Sequence, residues 1–347
     1  MHHRDSRCFW VCLVLVLLIP GVSMAAEAQR KPVPIIFDTD MGNDIDDALA
    51  LALIHALQSQ GECKLLAVTL TKDNQFSAPY VDLVNTFYGR GDVPIGTVRQ
   101  GVTPEASRYT EPIATAEDNG RPRYPHDLRD GRNAPEATRL LREVLAAQED
   151  GSVVIVQVGF STNLARLLES KPDEVSRLSG AGLVRKKVRL LSVMAGACSD
   201  DLKKTHFKEY NVVTDVPSAQ KVFHDWPTPI VQSGFEVGRA IKYPARSIEE
   251  DYGYVAHHPV AEGYRAYMKM PYDRETWDLT SILYAVRPGH DYFQVSPPGR
   301  IVVQDDGFTE FHEAADGNCC YLSVTPEQIE RVKRAFVKLC SRRPDGR

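Results

Sequence analysis

Cysteine is scarce in this sequence, positive charge is not in excess, and the apolar run near its start is too short to cross a bilayer. Each shortage excludes something. Seven cysteines in 347 residues do not make a disulfide framework, and their spacing is not of the zinc-binding type. Cys63, Cys198, Cys319, Cys320 and Cys340 lie beyond the N-terminal segment; their pairing is left open, although the adjacent Cys319 and Cys320 cannot easily bridge each other. A formal charge of -5 and a pI near 6.1 give no polybasic signature, so nucleic acid and an anionic membrane surface are not expected partners. A small neutral ligand suits the balance better. Neither an internal repeat nor a low-complexity linker interrupts the chain.

The apolar stretch Phe9 to Ile19 has eleven residues, too few to span hydrocarbon, so no stable membrane anchor is expected. Arg4 and Arg7 precede it, Pro20-Gly21 breaks it, and small residues follow from Ser23 to Ala28. That is the pattern of a secretory signal peptide. No Cys follows the cleavage region to take a lipid. Residues 1–28 are therefore expected to be a signal peptide, residues 29–347 a single catalytic domain, and the protein exported, either periplasmic or secreted.

What is present is an alternation of short apolar runs and helical patterns. Val33–Phe37, Leu65–Leu70, Val153–Val158 and Val188–Met194 read as buried strands. Ala48–Leu57, Tyr80–Tyr88, Ala134–Ala147, a stretch from Asn163 and Ala219–Phe223 read as helices between them. The fold class is α/β, with an open, mostly parallel sheet covered by helices on both faces. Residues 99–133 and 240–275 read as insertions at the rim of a site. Thr325-Pro326-Glu327-Gln328 is a capping box with Pro at the first helical position. Ile329, Val332, Phe336 and Leu339 form the apolar stripe of the helix it starts.

Between the first strand and the first helix, five aspartates fall within ten residues: Asp38, Asp40, Asp44, Asp46 and Asp47. Strand carboxyl ends are where ligands bind in open parallel sheets. Crowded carboxylates repel one another and are tolerated with a cation between them. Oxygen donors without neighbouring His or Cys select calcium or magnesium over zinc. An EF-hand loop opening at Asp38 needs Gly at its sixth position and Glu at its twelfth, where Asn43 and Leu49 stand. The bland alternative is a solvated acidic loop in which Asp44 or Asp46 caps the helix.

Ile35-Ile36-Phe37-Asp38-Thr39-Asp40, Gly42 and Asp46-Asp47-Ala48-Leu49-Ala50 together resemble the N-terminal signature of the inosine/uridine-preferring nucleoside hydrolase family, D-x-D-P-G-x-D-D-A. Met41 replaces the Pro, and two extra residues separate the Gly from the Asp pair, so Asp44 competes with Asp46 for one role. Val158-Gly159-Phe160-Ser161-Thr162-Asn163-Leu164-Ala165 resembles the family's G-P-L-T-N-L-A turn. Leu191 to Ala197 resembles its M-G-G strand end, and Glu209 to Ala219 its E-F-N segment. Asn74 and Trp277-Asp278-Leu279-Thr280 fall where two further elements belong. These motifs are collinear from residue 33 to about 290.

The resemblance implies a Rossmann-like nucleoside hydrolase fold and hydrolysis of the N-glycosidic bond of ribonucleosides to ribose and free base. It implies that Asp40, Asp47, Asp278 and the carbonyl of Thr162 hold calcium, with Asp40 also the general base. Asp46, Asn74, Glu209 and Asn211 then grip the ribose hydroxyls, and Met194 and Trp277 contact the substrate. A homo-oligomer is expected. Several positions have plainer readings: Asn74 as a turn residue, Asn163 and Asp215 as helix caps, Met194 as core.

Many family members carry His where Trp277 stands, as the acid for the leaving base. Indole stacks but does not donate a proton at ordinary pH, so His126, His206, His257 and His258 are the candidates to replace it. Two other readings compete. A haloacid-dehalogenase-like phosphatase has Asp38 as nucleophile, and a calcium-dependent nucleoside- or sugar-binding protein has no turnover.

Overall fold

Runs of β-branched and aliphatic residues pair edge to edge into a ten-stranded sheet. A computed structural model describes residues 31–345, and the expected signal peptide lies outside them. The strands are β1 (Val33–Thr39), β2 (Cys63–Lys72), β3 (Ile95–Val102), β4 (Val153–Gln157), β5 (Val188–Met194), β6 (Ile230–Ser233), β7 (Gly299–Val303), β8 (Thr309–Glu313) and β9 (Cys319–Ser323). Their order is β8-β7-β9-β6-β5-β4-β1-β2-β3, with the short strand Gln294–Val295 beside β9.

From β3 across to β9 every neighbouring pair is parallel. Strand β7 runs antiparallel to both its neighbours, and the short strand Gln294–Val295 antiparallel to β9. The expected strands and helices are all present, with ends shifted by a few residues. Strands β3, β6, β7, β8 and β9 had no reading in the sequence.

Parallel strands need both faces covered, and they are. Ile35 and Phe37 of β1 point into one core, Ile36 into the other. Helix α1 (Asp46–Ser59) is buried from Asp46 to Leu57, because α4 (Trp277–Val286) and the terminal α5 (Pro326–Cys340) both pack on it. That explains its apolar residues on every side. The expected capping box opens α5: Thr325 Oγ1 accepts from Gln328 N, and Gln328 Oε1 accepts from Thr325 N at 3.0 Å.

Parallel topology brings the carboxyl ends of β1, β2, β4, β5 and β6 to one edge of the sheet. The two insertions lie over that edge. Residues 99–133 carry a short helix, Thr110–Ala114, and residues 240–275 carry the helix Pro259–Tyr267 and the strand Arg274–Glu275. The five cysteines of the described residues are free. Among those residues no helix is long and apolar enough to cross a membrane.

Candidate active site

The chain leaves β1 at Thr39 and turns sharply before α1. Gly42 sits at φ +114°, a conformation open to glycine. Its N–H donates to the Tyr109 hydroxyl at 2.8 Å, and that hydroxyl donates to the carbonyl of Asp44 at 2.6 Å. Thr39 Oγ1 accepts from Met41 N at 3.1 Å and donates to the Asp47 carboxylate. Gly159, after β4, allows the next strand end to approach: a Cβ there would stand 2.5 Å from Asp40 N and 2.8 Å from the Thr39 carbonyl carbon.

A cavity of about 500 Å³ opens at this edge, lined by Asp40, Asn43, Asp44, Asp46, Asp47 and Asp278 on one side. Met194, Glu209 and Asn211 lie beside them, and Phe207, Tyr210, Phe235 and Trp277 form an aromatic wall. A space of this size takes a small ligand. Carboxylate oxygens of Asp46, Asp47 and Asp278 all lie within 4.8 Å of one another. Asp278 N donates to Asp46 Oδ2 at 3.1 Å, which couples the start of α4 to the start of α1. The second oxygen of Asp47 is buried without a hydrogen-bond partner among the described residues.

Such crowding shows in the acidities. Burial, then the neighbouring carboxylates, raises Asp47 and Asp278 well above the ordinary aspartate value. Asp46 is raised likewise by burial and Asp44. Burial lifts Asp40 to about 6, partly offset by the amide of Asn43. An orphaned buried oxygen within a carboxylate triad fits a hard cation, which would neutralise the cluster and keep it ionised.

Asp38 lies beneath the cavity floor and not on its wall. It is fully buried, with Oδ1 accepting from Thr69 Oγ1 at 2.5 Å and Asn163 Nδ2 at 2.8 Å. A phosphoryl nucleophile must be reachable, so the phosphatase reading fails here. Asn163 is thus no helix cap but a tie to Asp38. Asp215 does cap the helix Val216–Asp225, accepting from Ser218 N.

Two of the expected site residues are absent from the cavity wall. Asn74 is outside the cavity: its amide donates to the carbonyls of Pro104 and Glu105 at 3.1 and 3.2 Å, pinning the 99–133 segment. Thr162, the first residue of α2 (Thr162–Glu169), is buried but not on the cavity wall, and its hydroxyl donates to Asp215. Asp44 does not join the triad but forms an ion pair with Arg274, whose Nε is 2.9 Å from Asp44 Oδ1. Asp46 is therefore the triad member, although the resemblance made it a ribose contact.

None of the four candidate histidines lines the cavity. His126 faces the Tyr124 carbonyl at 2.7 Å, His206 faces Asp306 and His257 faces Glu262. His258 packs edge-on against Phe87.

Met194, Glu209, Asn211 and Trp277 do line the cavity. Glu209 caps α3 (Tyr210–Thr214), accepting from Asn211 N and Val212 N, and also from Gly196 N at 2.9 Å. Burial lifts it to about 7 against those donors. Asn211 Nδ2 donates to the carbonyls of Val158 and Met194 at 2.7 and 3.2 Å. The Trp277 indole donates to the Phe235 carbonyl at 2.9 Å and stacks on the Phe235 ring, centroids 5.4 Å apart. Arg274 lies over the Trp277 ring at 5.2 Å.

Phe207, Lys208, Tyr210, Phe235, Asn43 and Arg274 had no reading in the sequence. Tyr210 lies inside the recognised Glu209–Ala219 segment, and Phe207 and Lys208 directly precede it. Phe235 and Arg274 belong to stretches without a motif.

A doubly covered, mostly parallel sheet with a carboxylate triad at one edge defines an α/β protein whose cavity carries a group of side chains that could hold a metal ion. The chain belongs to the inosine-uridine preferring nucleoside hydrolase family, whose model matches residues 35–328. That family is metal-dependent.

A pyrimidine-specific ribonucleoside hydrolase RihA of Enterobacter sp. (strain 638) is 30% identical over 231 residues, 62% of this chain and 64% of that protein's length. The match thus spans less than two thirds of that relative. An inosine-uridine preferring nucleoside hydrolase from Bacillus anthracis superposes with TM-score 0.66 at 15% identity, covering 89% of this chain and 99% of the other. A purine-preferring ribonucleoside hydrolase from Gardnerella vaginalis gives 0.64 at 16% identity, covering 89% and 98%. At such identities these two likenesses concern the fold.

Proposed function

We propose that the chain is an exported, calcium-dependent N-ribohydrolase that cleaves ribonucleosides to ribose and free base. One observation carries this reading: the Asp46–Asp47–Asp278 triad and Asp40 line the same cavity as Phe207, Tyr210, Phe235 and Trp277. Asp46, Asp47 and Asp278, with Asp40 beside them, hold the ion. When bound, it supplies positive charge beside the ribose and lowers the pKa of water. Oxygen donors without His or Cys narrow the ion to calcium or magnesium; calcium, with the carbonyl of Thr162 in its ligand set, is proposed through the family resemblance.

Asp40 removes a proton from the water that attacks the anomeric carbon. As the C–N bond breaks the sugar becomes oxocarbenium-like, and the surrounding carboxylates stabilise that charge. The amide oxygen of Asn211 faces the sugar while its NH2 is held by two carbonyls. Glu209 shapes the same wall. The departing base rests against Trp277 and Phe235.

The relatives' names point to pyrimidine and to purine ribosides alike, so the substrate class is the ribonucleoside, with the base left to measurement. Export follows from the pattern of residues 1–28, and a homo-oligomer remains the expected assembly.

The test is ribose release from a panel of ribonucleosides with and without calcium. Release should need calcium, stop on chelation and be lost in Asp40→Ala. Nucleoside binding by calorimetry without sugar release from any member of the panel would establish a binding protein instead.

A further inference from the structure

Asp40 is buried and lines the cavity through a turn, so something must hold its carboxylate in one orientation. The turn alone does not, because its backbone bond, Asn43 N to Asp40 O at 3.1 Å, leaves the side chain untouched. The Asn43 side chain does: its Nδ2 donates to Asp40 Oδ2 at 2.8 Å and to Thr103 Oγ1 at 3.3 Å. An Asn amide has two faces and can flip. Here Lys72, the last residue of β2, removes that freedom.

Lys72 is 2% exposed, and its Nζ donates to Asn43 Oδ1 at 2.8 Å and to the Thr103 carbonyl at 2.7 Å. An ammonium only donates. The amide oxygen must therefore face Lys72, and the NH2 must face Asp40. The stem of Lys72 runs under the turn: a Cβ on Gly42 would lie 3.3 Å from its Cδ. Thr103 holds a left-handed φ of +54°, a conformation few non-glycine residues adopt. That backbone aims its carbonyl at the ammonium.

We propose that Lys72 and Asn43 are positioning residues that act as one unit, Lys72 orienting the Asn43 amide and Asn43 fixing the Asp40 carboxylate. The expected size of the effect is that of partners behind a metal-binding group, whose loss typically lowers metal affinity or activity about 10- to 100-fold. The inference rests on the hydrolase reading for what Asp40 does, though not for how Asp40 is held.

The experiment compares the full-length protein with Asn43→Ala, Lys72→Met and the double variant, at saturating calcium, on the best ribonucleoside of the panel. Each single change should lower kcat about 10- to 100-fold with KM within about threefold of wild type. The double variant should lose no more than the worse single one, because either change breaks the same unit. Wild-type kcat in either single variant overturns the proposal, as do losses that multiply or that fall on KM alone. Asn43 is half-buried at the cavity rim, so Asn43→Ala guards against Lys72→Met failing to fold.

Calcium affinity by calorimetry separates this proposal from the hydrolase reading. Asn43→Ala changes no charge and should weaken calcium binding. If the wild type releases no ribose at all, the hydrolase reading fails, and that affinity alone decides: a weakened site supports the unit, an unchanged one overturns it.

Discussion

Trp277 stands directly before a triad aspartate, and its ring, stacked on Phe235 and covered by Arg274, walls the cavity. In the proposed reading an aromatic ring in that place serves the base, and stacking of a base on an aromatic ring is worth about 1–3 kcal/mol. Trp277→Ala should therefore lower kcat/KM roughly 5- to 150-fold on ribonucleosides, with calcium affinity by calorimetry unchanged. Gly159 is a sterner case. A methyl there meets the backbone of Thr39 and Asp40, and overpacking of this kind costs about 1–3 kcal/mol. Gly159→Ala should lower the melting temperature and activity together; an unperturbed melting curve would sink the close-approach argument. Both residues stand in motifs, so the sequence pointed to them. Lys72 did not stand out, because nothing in a run of chain says that a lysine 32 positions after Asp40 returns beneath its turn.

At the level of elements, local chemistry and topology separate cleanly. The box Thr325–Gln328 is a matter of four adjacent residues, and it forms as its pattern requires. Thr325→Ala removes one partner of the pair, which typically costs about 1 kcal/mol. The melting temperature should fall by a small amount with kcat unchanged, since Thr325 does not line the cavity; a change in kcat would refute that separation. The parallel strands β1, β4 and β5 were legible because burial on both faces demands continuous apolar runs. Strands β7 and β8 were not. Their residues alternate, as in Gly299–Val303 with its second and fourth positions exposed, and Thr309–Glu313 is mostly polar. Such sequences settle into a strand only once a neighbour exists. The two insertions were recognised as such, but that one would deliver Arg274 to Asp44 and the other Thr103 to Lys72 depended on contacts between residues far apart in the chain.

The whole molecule carries its carboxylates at one edge of the sheet, and this makes stability depend on pH in a direction that can be worked out. Burial holds Asp38 at about 7 against an ordinary value of 3.8, and Glu209 at about 7 against 4.5. Asp46, Asp47 and Asp278 are also raised, by burial and by neighbouring carboxylates. Groups raised in the folded state bind protons that the unfolded chain has already released, so the metal-free protein loses stability as pH rises through the folded values. His55 works the other way: buried and held at about 3, it favours the folded state above its ordinary 6.5 and penalises it as pH falls below that. At pH 6.5 His55 is half protonated in the unfolded chain and by pH 8 it is neutral in both states, so its opposing slope fades across that window while the raised carboxylates titrate. In chelator, the melting temperature should therefore fall across that window. Calcium reverses the sign of the cluster, because it binds the ionised carboxylates, is favoured as protons leave, and stabilises only the folded chain. The calcium-induced rise in melting temperature should be larger near pH 8 than near pH 6.5. Scanning calorimetry at both values, with calcium and with chelator, checks this, and an equal or smaller rise at the higher pH would mean that the ion does not sit among these aspartates.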